Sequence, residues 1–354
     1  MLKYLEKKRD IIKNFLPSWF AVIMGFGIII SSSMAYSSRI SYLQYFAKVL
    51  AYINIALFVI LLIPWILRWI FYTKNAMADF KHPIMTNFYP TITIAAMIIA
   101  LNLQMIGVPM NITLWIWFAG AIGTIFLSIS IPLMIFNNHE IALHHVNPSW
   151  FIPPVGLIAI PLFGYPFLSL TLGILNQIVL LFNYFGLGAG IMLYISLLTI
   201  TLHRFITHPP LPNVLAPTIW IGLGPIGAGI VALLNLIGKS TFVTIKEPFN
   251  VFSLLFWGFG LWWAILTFIM TLYYAKKLKL PYSLSWWAFI FPFGVFVVSS
   301  HMIGVIFPSI AIIDWIGFVF YLFLLILWLI TLIMTLNSGF TGEIFIREST
   351  QDTK

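Results

Sequence analysis

A chain of 354 residues that is 61% hydrophobic and only 8% charged, with a mean hydropathy of +1.03, cannot fold against water alone. Soluble domains carry about a quarter charged residues. The net charge of +9 has no soluble basic surface to occupy, so it excludes a nucleic-acid partner and points to anionic lipid. The absence of cysteine excludes disulfides, iron–sulfur clusters and thiolate chemistry.

Residues 1–15 are polar and basic and are expected to stay on the cytoplasmic side. They precede an apolar run ending in Ser31-Ser32-Ser33-Met34-Ala35, a pattern shared with secretory signals. That run is long enough to span a bilayer, so it is read as the first of ten spans. A span needs about 20 apolar residues, and the ten are predicted at 16–37, 45–70, 83–106, 111–135, 149–166, 174–201, 213–237, 249–273, 284–306 and 312–336. Together they make 16–337 one all-α membrane domain of five helical hairpins, and 338–354 a short, polar, loosely ordered tail.

Each odd span carries a helix breaker near its middle: Gly25, Pro90, Pro161, Pro225 (after Gly224) and Pro292, separated by 65, 71, 64 and 67 residues. The first four odd spans also have proline near the first turn, at Pro17, Pro83, Pro153-Pro154 and Pro217, where the missing N–H costs nothing. Broken backbone at membrane depth survives only where it is buried in protein or lines a cavity. The odd helices are therefore expected to be kinked and to gather around a pathway. The even ones form an outer, lipid-facing ring, and Gly186, Gly188 and Gly190 in the sixth span mark close helix contact.

Positive charge orients the bundle. With the N-terminus inside, 14 of the 18 Lys and Arg fall on inner segments and four (Arg39, Lys48, Lys239 and Lys246) on outer ones. Both termini are thus expected in the cytoplasm, in a multi-pass protein of the cell membrane. Trp19, Trp65, Trp69, Trp150, Trp286 and Trp287 on the inner side, with Trp115 and Trp315 on the outer, read as interfacial belts. Glu247 and Asp314 read as acids favoured at helix N-termini.

No Asp, Glu, Lys or Arg lies in the central part of any span, where pumps and proton-coupled carriers usually keep one. A pathway so poor in charge must attract its ion by weaker means. A broken helix gives its outer half an N-terminus at mid-membrane, a partial positive charge that favours a small anion. His139-Glu140 and His144-His145 suggest a zinc helix, but the required second histidine would fall at Leu143; these residues, like His203, Arg204 and His208, read as cytoplasmic loops. His301, near the outer end of the ninth span, either faces the pathway or makes a structural hydrogen bond. No metal or other cofactor is implied.

Three motifs resemble a known family. Pro17-Ser-Trp-Phe-Ala with Met24-Gly25-Phe26-Gly27 is similar to the first span of the tellurite-resistance/dicarboxylate transporters. His208-Pro-Pro-Leu-Pro212 with Ala216-Pro-Thr-Ile-Trp-Ile-Gly-Leu-Gly224-Pro225-Ile-Gly227 is similar to their seventh helix, and Trp286-Trp-Ala-Phe-Ile-Phe291-Pro292-Phe-Gly294 to their ninth. That family includes tellurite-resistance proteins, malate permeases, sulfite pumps and slow-type anion channels. The resemblance implies five hairpins around a central pore lined by the odd helices. It also implies a homotrimer with one pore per subunit, and occlusion of the pore by the phenylalanine before the ninth-helix proline, here Phe291. One departure is Phe26, where the family usually has threonine. If position 26 faces the pathway a polar group is lost; if it faces a neighbouring helix nothing follows.

The reading is a channel or transporter for a small anion: a dicarboxylate such as malate, sulfite, nitrate, a halide or a tellurite-like anion. A proton-coupled C4-dicarboxylate carrier is the alternative within transport. A non-conducting sensor or an intramembrane enzyme is the alternative outside it; no soluble signalling domain and no buried nucleophile–base pair supports either.

Overall fold

The structure, a computed structural model, describes residues 3–5, 7, 9–137 and 142–346. Among them, ten helices are long and apolar enough to cross a membrane. They are α1 (Pro17–Ala35), α2 (Tyr42–Phe71), α3 (Met85–Met105), α4 (Met110–Phe136), α5 (Pro148–Ser169), α6 (Gly173–Thr207), α7 (Asn213–Lys239), α8 (Glu247–Leu278), α9 (Leu284–Ile306) and α10 (Ile312–Thr341). There is no strand among the described residues, so this is an all-α membrane protein.

Burial separates the helices into two classes. In their most apolar stretches the odd helices are 56–89% buried and the even ones 22–33%. Most of the apolar side chains that the helices leave exposed, such as Leu181 on α6, Leu255 on α8 and Ile333 on α10, belong to the even class; on the odd helices they are confined to the ends, as at Met34, Val214 and Val305. In a bilayer those faces meet lipid, so the odd helices must find their contacts in one another. They do so as a closed ring, in which α1 packs on α3, α3 on α5, α5 on α7, α7 on α9 and α9 back on α1. Each even helix packs on its hairpin partner and on the next odd helix round the ring.

Small residues set the close approaches. A Cβ at Gly227 would lie 2.5 Å from the Phe296 backbone nitrogen, so α7 and α9 touch backbone to backbone. On α6, Gly186 and Gly190 face the Leu157 and Pro154 carbonyls of α5, whereas a Cβ at Gly188 would meet nothing within 4 Å. Gly186 and Gly190 are therefore contact glycines and Gly188 is not.

The described segments nearest the two ends lie on one face, as an even number of spans requires. The Tyr4 N–H donates to the Thr341 carbonyl (3.1 Å) and the Asn14 side chain to that of Phe345 (2.9 Å). We call this the terminal face and its opposite the distal face. On the terminal face Arg68, fully buried, donates to the Lys13 and Phe15 carbonyls and pairs with Asp79. That guanidinium ties the N-terminal segment to α2 and to the short helix Thr73–Lys81.

Two sequence expectations are corrected here. Helix α10 continues to Thr341, and Phe345 is buried with its ring stacked on Trp19 at 5.5 Å; the expected loose tail is thus ordered to that point. Of the tryptophans assigned to belts, Trp115 and Trp315 are exposed, but Trp19, Trp65, Trp150 and Trp287 are buried. Their indoles are covered by protein instead of standing open to the interface.

Candidate functional site

The odd helices share a second property. Each opens, on the terminal side, with a tightened 3-10 segment and then changes to α-helix, with the α segments beginning at Phe20, Pro90, Ile152, Leu223 and Phe291. Proline marks four of these changes: Pro90 is the first α residue of α3, Pro153 and Pro154 the second and third of α5, Pro225 the third of α7 and Pro292 the second of α9. Proline suits those positions because a first-turn N–H has no intrahelical partner and φ is already helical.

This register differs from the one read in the sequence. Gly25 lies inside the uninterrupted helix Phe20–Ala35, where its missing side chain makes room for the Trp287 ring. Pro161 lies inside Ile152–Gly164 and packs against Gly186 of α6. Having no N–H, it leaves the Leu157 carbonyl without its intrahelical donor. That carbonyl is covered by Gly186, where a Cβ would stand 2.5 Å from the oxygen. Gly25 and Pro161 are therefore packing positions between helices.

The changes of helix type do not liberate a set of amides. The N–H groups of Tyr89 and Ile92 donate to Thr86 and Tyr89, and those of Ile290 and Gly294 to Trp287 and Ile290. The freed backbone donors expected at mid-membrane are at these points already bonded, because the helix is rewound there, not broken.

Two cavities lie inside the ring, and all five odd helices line each of them. The terminal-side cavity, about 40 Å³, is bounded by Ala21 and Met24, Phe88 and Thr91, Ile152 and Val155, Ile221, and the α9 stretch that includes Trp287, Phe291 and Pro292. Its polar side chains are occupied. Thr91 Oγ1 lies 2.8 Å from the Pro17 carbonyl and 2.6 Å from that of Phe88, and Ser285 Oγ donates to the Val214 carbonyl. A cavity of this size has space for water, but water needs two to four polar partners to stay, so this one is a dry constriction.

The distal cavity, about 560 Å³, is wider and more polar, with Ser31, Asn102, Tyr165, Asn235 and His301 among its lining. A partition separates the two. On α9 the lining passes from Pro292 to Val295 and on α1 from Met24 to Ile28, about 4.5–6 Å of helix, whereas on α5 it passes from Val155 to Leu162, on α3 from Thr91 to Leu101 and on α7 from Ile221 to Val231, about 10–15 Å.

Phe291 stands on the terminal side of this partition, 3% exposed. Phe289 and Phe293, two residues to either side, turn to Trp220 at 5.6 and 5.4 Å. A helical step of two residues reverses direction, so Phe291 is turned the other way, into the cavity. Gly224 sits where three ring helices converge: a Cβ there would be 3.2 Å from Val155 and 3.7 Å from Pro292. Pro90 packs on Gly156 of α5. Phe26 lines neither cavity; its ring stacks on Trp287 at 6.2 Å and meets Trp328 edge-on at 5.3 Å. It faces neighbouring helices, so the missing threonine removes no polar group from either cavity.

A model of the voltage-dependent anion channel family matches residues 14–336. The chain belongs to that family. An uncharacterized transporter of Methanocaldococcus jannaschii is 52% identical to it over 345 residues, covering 98% of this chain and 99% of the relative. A sulfite efflux pump of Trichophyton rubrum is 26% identical over 96% of this chain and 95% of its own length. A malic acid transport protein of Schizosaccharomyces pombe is 21% identical over 94% and 80%.

Beside the distal cavity of this family member lies a charged cluster that sequence reading did not assemble. Asp314, expected as a simple helix-terminal acid, uses both carboxylate oxygens: Oδ2 takes Arg39 at 2.5 Å and Oδ1 meets His301 Nδ1 at 2.8 Å. The Arg39 guanidinium also lies 3.9 Å above the Trp315 ring. Glu247 behaves as expected, accepting the Lys246 N–H at the start of α8 (3.1 Å). The His144 and His145 rings lie 4.0 Å apart, tilted by 47°, and burial with the neighbouring His144 holds His145 below the usual imidazole range. Among the described residues no group of three His, Cys, Asp or Glu is placed to hold a metal. His139 and Glu140 lie outside the described residues.

Proposed function

We propose that this protein is a channel or carrier for small anions, with a pathway along the axis of the odd-helix ring and Phe291 as its gate. The observation that carries the reading is the pair of axial cavities, each lined by all five odd helices, divided by an apolar partition against which the Phe291 ring stands. Among their lining residues there is no Asp, Glu, Lys or Arg, so selectivity among anions is weak and the ring supplies occlusion without charge. Sulfite and malate, named for the two fungal relatives, head the list of substrates, followed by nitrate and halides. The distribution of positive charge supports a cell-membrane orientation with the terminal face in the cytoplasm. Closure of the ring within one chain supports one pore per subunit; assembly as a homotrimer is what the family resemblance implies. Nothing in this mechanism is enzymatic.

The test is reconstitution in liposomes with a panel of anions, recording current and proton flux together. Reversal potentials that follow the anion gradient under asymmetric salt agree with the proposal; reversal near the cation equilibrium potential overturns it. Proton flux in fixed ratio to anion flux identifies a coupled carrier, and its absence a channel.

A further inference from the structure

The distal cavity contains a titratable group that the gate does not use. His301 lines it and is fastened through Nδ1 to Asp314. Facing a carboxylate, Nδ1 carries the proton, which leaves Nε2 as the nitrogen that gains or loses one. Arg39 already balances the Asp314 charge. The cluster is therefore neutral when His301 is neutral and carries one net positive charge when it is protonated.

We propose that the distal cavity is a proton-controlled loading site for small oxyanions, in which protonated His301 supplies both the charge and an N–H donor. This inference rests on the anion-transport reading above. A single charge at the mouth of a low-dielectric cleft focuses the field and raises the local concentration of counter-ions. Neutral donors complete the site. Asn102 lines the cavity, is 4% exposed, and its amide nitrogen donates to no acceptor. Ser31 and Asn235 line the same cavity.

The other ionisable groups around His301 do not compete for the role. From α10 comes Asp314 itself, and from the turn after α1 come Arg39 and the Tyr36 phenol, whose ring meets the imidazole edge-on at 5.0 Å. Burial, with Asp314 adding to it, pushes the Tyr36 phenol well up, so it stays protonated. Tyr165 lines the cavity from α5. At the ends of α7 and α8, Lys246 reaches the Gly238 carbonyl and Glu247 the Lys246 N–H, and Lys239 closes α7. Histidine is the one residue type among these whose charge ordinarily changes between pH 5 and 8.

The experiment uses full-length protein in vesicles of known orientation. Nitrate is the probe because its own charge is constant across the range. Flux is measured with the distal face at about pH 5.5 and about pH 8, either side of the imidazole range, the other side being held fixed. Wild-type flux should be about tenfold higher at the acid value, the low end of what field focusing gives. His301→Gln, checked for folding by its melting curve, should lose the response, its flux no longer differing between the two values. Equal wild-type flux at both values overturns the proposal. So does a response that follows pH on the terminal face, a result that needs no variant, or a response that His301→Gln retains. Absence of flux for every anion at both values overturns the transport reading, and this inference with it.

Discussion

Replacing Phe291 with alanine tests the occluding ring most directly. In the resting structure the benzyl group is 3% exposed and stands over an apolar cavity of about 40 Å³. To let an ion pass it must leave that position, and burying a phenylalanine is worth about 1.5–3 kcal/mol. At about 1.4 kcal/mol per factor of ten, the open arrangement is then populated about one part in ten to one in a hundred or slightly less. Removing the ring makes it permanent. Phe291→Ala should therefore raise anion flux about ten- to a hundredfold per folded molecule. The stability cost should be at or below the low end of the roughly 3–5 kcal/mol for a fully packed phenylalanine, because one side of this ring faces a void and has fewer contacts to lose. Flux into liposomes and the melting temperature in detergent are measured on the same preparation. Higher flux with a modest fall in melting temperature agrees with the gate. A large loss of stability with no added flux refutes it, since the ring would then be a core residue filling a helix interface.

Three further substitutions probe the surroundings of the gate. Gly224→Val would set a branched side chain into the space between Val155 and Pro292; flux should fall at least tenfold while the melting curve stays cooperative, and unchanged flux would remove Gly224 from the pathway. Pro161→Ala alters a residue that faces Gly186 of α6, so transport should be unchanged and stability should move by no more than about 1 kcal/mol; a marked loss of flux would restore a kink-based pathway. Arg68→Ala removes the guanidinium that holds the Lys13 and Phe15 carbonyls and pairs with Asp79, hydrogen bonds to a charged group being worth about 1.5–3 kcal/mol each; it should free the N-terminal segment, read as faster proteolysis before Pro17, and an unaltered cleavage rate would show that the segment is held by other contacts.

The fold was largely legible because a bilayer reduces the problem to length and hydropathy, and the alternation of proline-rich and proline-poor spans separated inner from outer helices. The point at which each inner helix changes character was not legible from proline alone. Pro90, Pro225 and Pro292 stand in the first α turn, while Pro161 stands in a helix interior, and the same residue type does opposite work in the two places. Hydropathy cannot distinguish them, because what tolerates Pro161 is Gly186, on another helix, covering the Leu157 carbonyl. The same holds for Gly25, whose reason is the Trp287 ring on α9, and for Phe26, whose partners Trp287 and Trp328 are on α9 and α10.

The site divides along the same line. Phe291 was singled out through motif resemblance as the candidate gate, and its direction follows from helical geometry once Phe289 and Phe293 are seen to share Trp220. The distal cluster joins Arg39, His301 and Asp314, the first of them separated from the others by most of the chain. Considered singly, each has an ordinary explanation as a loop cation, a structural histidine or a helix-terminal acid. Only closure of the ring, with α9 back against α1, brings the turn after α1 beside α9 and α10. If the two cavities are the pathway, a lining without Asp, Glu, Lys or Arg and with one histidine has a physical consequence. On that proposal little charge along the axis discriminates among anions, so control over which ions arrive, and when, falls to His301 at the mouth and to the Phe291 ring at the partition.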